Sequence, residues 1–109
     1  MVKLSIKNIK EVDASLHNNI NELCSEANDY YNELFKKYDK DLLLQIIFDN
    51  SSKNAKVSIS LNLKSKNVSL TEENKDALKA LTTVLSKFKK AVKKQYELER
   101  KDYIYKRKR

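Results

Sequence analysis

AKVSISLNLKSKNVSL, residues 55–70, alternates apolar and polar side chains almost without interruption. Val57, Ile59, Leu61 and Leu63 fall on one side, and Ser58, Ser60, Asn62 and Lys64 on the other. A period of two is that of a strand with one buried face, so 55–64 is expected to be such a strand. Ser65–Lys66 then makes a hairpin turn, and 67–71 returns as a shorter strand with Val68 and Leu70 inward. Upstream, DLLLQIIFD (41–49) is short, apolar and bounded by polar residues, and it reads as the preceding strand, joined through the turn cluster NSSKN (50–54). It departs from the pattern in one respect, because Leu43 and Ile47 would lie on the open face of the sheet.

Outside this meander the period changes. Leu16, Ile20, Leu23, Cys24, Ala27, Tyr31, Leu34, Phe35 and Tyr38 recur at helical spacing, which predicts a long amphipathic helix over 13–38 with Asp13 as its N-cap. Its outer face, with Asn18, Asn21, Glu22, Ser25, Glu26, Asn28, Asp29 and Glu33, is acidic to neutral. Ahead of it, VKLSIKNI (2–9) alternates again and predicts a half-buried strand. After the meander, Thr71 or a neighbour is expected to cap a last helix, with the acids of T-E-E (71–73) in its first turn, where the helix dipole favours them. Leu78, Leu81, Val84, Leu85, Phe88 and Val92 form the apolar stripe of that helix. The order is β-α-β-β-β-α. Each helix has one apolar stripe, so the economical packing is an α+β two-layer sandwich: a four-stranded sheet with both helices on one face.

The chain has 109 residues, enough for one small domain with a modest core. It contains no glycine and no proline, so its turns must come from Asn, Asp, Ser and Lys, of which Asn and Asp best tolerate left-handed backbone. One cysteine, Cys24, excludes an internal disulfide and fits a reducing compartment. No apolar run approaches the ~18 residues of a membrane span, and the alternating N-terminus lacks the continuous apolar block of a secretory signal. A cytoplasmic location is expected.

Charge is distributed unevenly. The net charge is +8, but residues 1–55 hold 7 Lys/Arg against 9 Asp/Glu, and residues 56–109 hold 16 against 6. Much of the excess sits in KFKKAVKKQ (87–95). On a helical wheel at about 100° per residue, Lys79, Lys87, Lys89, Lys90, Lys93 and Lys94 all lie off the apolar arc. An exposed helix face is charged in any case, but such faces normally mix signs. Between Leu78 and Tyr96 there are six lysines and no acid, and Lys89/Lys93 and Lys90/Lys94 are like-charge i,i+4 pairs. Each pair costs a few tenths of a kcal/mol, which points to an anionic partner. The domain proper is expected over 1–95. A basic tail follows over 96–109, YELERKDYIYKRKR, in which Arg100, Lys101, Lys106, Arg107, Lys108 and Arg109 are interleaved with Tyr96, Tyr103 and Tyr105. That mixture suits phosphate contact with base stacking; a frayed basic end is the other reading.

The element order, the length and the last helix resemble the ribosome hibernation-promoting factors, also called ribosome-associated inhibitors, in their short form. The last helix of those domains runs D-x-Y-x-A-I-D, three residues, then D-K-L-x-R-Q-L-x-K. Here Asp76-Ala77-Leu78-Lys79-Ala80-Leu81 occupies the first part and Ser86-Lys87-Phe88-Lys89-Lys90-Ala91-Val92-Lys93-Lys94 the second. Lys87, Lys90 and Lys94 sit where the family has Lys, Arg and Lys; Leu78 replaces the usual Tyr, and Thr82 and Ser86 replace Asp. The resemblance implies a protein that binds the small ribosomal subunit in the mRNA-tRNA decoding cleft through rRNA. It would inhibit translation by excluding mRNA and tRNA from idle ribosomes, and would catalyse no reaction. Lys87, Lys90 and Lys94 would then be phosphate contacts, with Lys93 joining them on geometry, and Lys79, Lys89 and the tail cations completing the rRNA-binding set. The family's first helix is usually basic, but His17, Leu23, Glu26 and Asp29 stand where its charges would be, so RNA contact is not carried over to that helix. No counterpart of the longer members' C-terminal dimerisation domain is expected, and the tail is expected to thread RNA near the site.

Other chemistry finds little support. A lone His17 and a lone Cys24 cannot supply the usual four zinc ligands; Cys24 reads as core and His17 as helix surface. A glycine-rich phosphate loop is excluded by composition. Asp13, Asp39, Asp41 and Asp49 read as caps and turns. No cofactor, metal, small-molecule substrate or membrane is expected, and the free protein is expected to be a monomer. Two alternatives remain: another RNA- or DNA-binding module, and a protein-interaction adaptor using the basic tail. The tail's tyrosines and Ile104 make only a weak membrane anchor.

Overall fold

The computed structural model describes the chain apart from residues 52, 108 and 109, with the backbone alone for 51 and 101–107. The elements are β1 (Val2–Lys7), α1 (His17–Leu34), β2 (Leu42–Ser51), β3 (Asn54–Asn62), β4 (Asn67–Asn74) and α2 (Ala77–Arg107), with two short 3-10 turns between β1 and α1. They form the expected β-α-β-β-β-α sandwich. The sheet order is β1-β2-β3-β4, with β1 parallel to β2 and the other pairs antiparallel.

Alternation decides the two faces. Leu44, Ile46 and Phe48 of β2 and Val57, Ile59 and Leu61 of β3 are buried, and they face Ile20, Cys24, Tyr31, Phe35, Leu81, Val84, Phe88 and Val92 from the helices. Both helices therefore cover one side. On the other side Leu43 is 49% exposed and Ile47 is half-buried, as the pattern of β2 implied. Burial pushes the Cys24 thiol up to about 12, which leaves it an inert core residue at neutral pH.

Several boundaries differ from expectation, each for a local reason. β1 stops at Lys7 because Asn8 turns left-handed (φ 62°), the one positive φ among the described residues. Asp13 does cap, but it caps a 3-10 turn over Ala14–Leu16, accepting from the Ser15 N–H at 3.1 Å; that bond holds its carboxyl below the ordinary range. α1 ends at Leu34, short of 38, while Phe35 and Tyr38 continue its packing through irregular turns. The turn after β2 is tight, since Asn50 pairs with Ala55 and Ser51 with Asn54. His17 is half-buried, with its ring Nε2 2.9 Å from the Val12 carbonyl oxygen.

The largest correction concerns β4. The strand runs on to Asn74, so Thr71 caps nothing and the acids of T-E-E lie in the sheet. Lys56 of β3 stands directly opposite Glu73, Ser58 opposite Thr71 and Val57 opposite Glu72; opposite charges and paired hydroxyls favour such cross-strand neighbours. Asp76 is the cap of α2. Its carboxylate accepts from the Leu78 N–H at 2.9 Å, its carbonyl accepts from the Ala80 N–H at 3.0 Å, and its own N–H donates to Asn74 Oδ1 at 2.9 Å.

Candidate nucleic-acid interface

α2 is amphipathic for a simple reason. Ala77, Ala80, Leu81, Val84, Phe88 and Val92 recur every three or four residues and are buried against β3 and β4, which leaves the intervening lysines outward. Lys79, Lys87, Lys89, Lys90, Lys93 and Lys94 are all exposed on this one helix.

Their surroundings separate them into groups. Lys87 Nζ donates to Glu72 Oε1 at 2.6 Å. Glu72 belongs to the covered face of β4, so the counter-charge that α2 lacks is supplied from the neighbouring strand. Lys89 Nζ lies 4.2 Å from the centroid of the Tyr30 ring on α1, which orders the ammonium without neutralising it. Lys79, Lys90, Lys93 and Lys94 have no ion-pair partner among the described residues. A like-signed, uncompensated face of this kind raises the local concentration of anions.

Residues 96–107, expected as a separate tail, continue α2 to Arg107 without a break. The apolar stripe also goes beyond Val92: the Tyr96 ring packs on Phe35 at 4.7 Å between centroids and on Tyr38 at 5.7 Å. Tyr96 is thus committed to packing rather than to a base. Glu99 ties the same stretch to the body. Its carboxylate accepts from the Tyr38 hydroxyl at 2.5 Å and from the Ser65 N–H at 3.2 Å and hydroxyl at 2.5 Å, while Gln95 Nε2 donates to Ser65 Oγ at 2.9 Å. Burial, reinforced by the bond to Glu99, pushes the Tyr38 phenol up to about 12. Arg100 lies over the Tyr96 ring at 5.9 Å. Lys101, Lys106 and Arg107 fall on the helical backbone, and Lys108 and Arg109 lie outside the described residues.

On the other helix, Glu22, Glu26, Asp29 and Glu33 are exposed as expected, and only Asn28 of that face turns partly inward. Asn32 was not legible as a structural residue. Its amide accepts from the Val2 N–H at 2.8 Å and donates to the Val2 carbonyl at 2.9 Å, pairing with the edge of β1 much as a strand would. Glu72, Glu99 and Lys64 were likewise missed as partners. For Glu72 a signal existed, since Val68, Leu70 and Glu72 keep the strand period.

No family model matches the chain, and no curated protein matches it by sequence. Among solved structures, the N-terminal domain of Protein Y from Thermus thermophilus matches with a TM-score of 0.55 at 20% identity, over 84% of this chain and 93% of that one. The fold is similar to that of the Protein Y domain. At this identity the likeness to Protein Y is one of fold. Among the described residues no group of His, Cys, Asp or Glu is arranged to hold a metal ion, and no helix is long and apolar enough to cross a membrane.

Proposed function

We propose that this protein is a ribosome hibernation factor: it binds the small ribosomal subunit at the decoding cleft through rRNA and inhibits translation by excluding mRNA and tRNA from idle ribosomes. The observation that carries this reading is the lysine face of α2, with Lys90, Lys93 and Lys94 uncompensated among the described residues. It is supported by the likeness in fold to the Protein Y domain and by the positions of Lys87, Lys90 and Lys94 in the family's helix pattern. The mechanism is occupancy. Ammonium groups displace the counterions of the rRNA backbone, and a domain seated in the cleft leaves no room for mRNA or tRNA there. No bond is made or broken, and the free protein is a monomer.

Within this set the lysines have different parts. Lys90, Lys93 and Lys94 are ready phosphate contacts. Lys87 must exchange Glu72 for a phosphate, so its net gain is smaller. Lys89, held on Tyr30, is preorganised but lies toward α1. The deciding experiment is co-sedimentation of the purified protein with ribosomes in low-salt sucrose gradients, with mRNA and tRNA added as competitors. Association with the small subunit that both competitors reduce is the expected result. Binding to generic duplex RNA without association with ribosomes would sink the reading and leave a general nucleic-acid module.

A further inference from the structure

Where α1 stops, the β3–β4 turn projects and α2 runs past both, the molecule has an open recess of about 630 Å³. Cations from three separate segments border it: Lys37 after α1, Lys64 in the turn and Arg100 on α2. Two acids also line it, and both are engaged. Asp39 pairs with Lys64 Nζ, and the Glu99 carboxylate takes hydrogen bonds from Tyr38 and Ser65. Lys37 and Arg100 have no acid partner among the described residues.

The tyrosines decide what kind of anion such a recess suits. Lys64 Nζ lies 5.2 Å from the Tyr38 centroid, and Arg100 lies 5.9 Å from the Tyr96 centroid. A ring face that carries a cation is not free to stack on a base, and both rings pack against Phe35 as well. What the recess offers is ordered positive charge in a concave surface. That is the chemistry of a phosphate contact, which positions a nucleic acid without reading its sequence.

We infer that this recess is a second phosphate-binding patch, with Arg100 and Lys64 as its contacts, and that it takes the backbone of the same RNA that lies along α2. The inference rests on the RNA-binding reading above. Lys90 and Arg100 stand on one helix about 15 Å apart, so a single backbone can reach both. The Glu99 bonds to Tyr38 and Ser65 hold α2 against the turn and so keep Arg100 and Lys64 on the same recess.

The test compares two variants of the full chain, Lys64→Gln/Arg100→Gln and Lys90→Gln/Lys93→Gln/Lys94→Gln, for binding to purified small ribosomal subunits across a salt series. Each lost phosphate contact flattens the slope of log K against log salt by about 0.7–0.9, so the recess variant is expected to lose that much from Arg100 and less from Lys64, which must exchange Asp39 for the phosphate. Lys36→Gln, at the same end but outside the recess lining, should leave the slope unchanged. The charge-preserving Lys64→Arg/Arg100→Lys should keep the slope of the unaltered protein, which a purely structural role would not ensure. An unchanged slope in the recess variant, with a flattened one in the α2 variant, overturns the patch and leaves the α2 site standing. Unchanged slopes in both would remove the RNA reading itself.

Discussion

α1 and α2 lie on the same face of the same sheet, and each buries one apolar stripe, yet their outer faces carry opposite charge. α1 presents Glu22, Glu26, Asp29 and Glu33; α2 presents Lys79, Lys87, Lys89, Lys90, Lys93 and Lys94. Burial makes the same demand of both helices, so it cannot be the source of the difference. The outer face of a helix is free to vary once the inner face is satisfied, and its sign records what the surface meets. The comparison also shows that a run of like charge is not uniform in consequence. Lys87 is neutralised by Glu72 and Lys89 is steadied by Tyr30, whereas Lys90, Lys93 and Lys94 keep their charge available.

The largest expected effect tests what the helices share. Phe88→Ala, at a site with no exposure, should cost about 3–5 kcal/mol of stability, read from denaturant unfolding. Lys90→Ala on the outward side of the same helix should stay within about 0.5 kcal/mol. Comparable losses would mean that the lysine face contributes to folding and is not merely presented by it.

The next effect tests what separates them. Reversing Lys90, Lys93 and Lys94 to Glu should weaken association with small ribosomal subunits on the order of a hundred-fold at low salt, with a much flattened salt dependence. Converting Glu22, Glu26 and Asp29 of α1 to their amides should leave the affinity unchanged or raise it slightly. A loss of binding from the α1 substitutions would break the comparison by placing that helix in the interface.

A smaller change sharpens the division within α2. Glu72→Gln removes the counter-charge from Lys87 and is expected to raise affinity for the subunits a few-fold, with stability changed by no more than about 1 kcal/mol, because the Lys87 end of the pair is exposed. Equal affinity would indicate that Lys87 does not reach RNA even when released.

The smallest expected effect lies at the Tyr38–Glu99 contact. The folded state raises the Tyr38 phenol to about 12 from an ordinary value of 10.0, so it favours the protonated form. This contribution is fully present below pH 10, and it is lost as pH rises through the folded value. Tyr38→Phe should therefore narrow the stability gap from the unaltered protein between neutral pH and pH 12, measured as the difference in thermal midpoint. A gap that does not depend on pH would mean that Tyr38 acts by packing alone.

Periodicity over short windows was enough for the element order and for the lysine face. The alternation of 55–64 and the stripes of the two helices are local signals that burial on one side makes unambiguous. Boundaries were less legible. T-E-E looked like an acidic first turn, but cross-strand pairing of Lys56 with Glu73 and of Val57 with Glu72 draws those residues into the sheet. Val68, Leu70 and Glu72 do keep the strand period, but the partners that decide between strand and helix lie on another strand. The continuation of α2 past residue 96 was hidden in the same way, because Tyr96 and Glu99 find their partners in Phe35, Tyr38 and Ser65.

The linear chain by itself determined the two-layer β-α-β-β-β-α architecture, the core residues and the fact that one helix is basic outside, since each follows from the spacing of apolar and charged side chains within one element. Only the tertiary structure decided which cations remain available. Counter-charges and ordering rings reach the lysines across space: Glu72 stands 15 residues from Lys87, and the Tyr38–Glu99 bond that brings Arg100 beside Lys64 spans 61. Electrostatic compensation depends on distance in three dimensions and is largely screened beyond about 8–10 Å at physiological salt. A charge that stands alone in the sequence can therefore be neutralised in the fold, and charges far apart in the sequence can border a single recess.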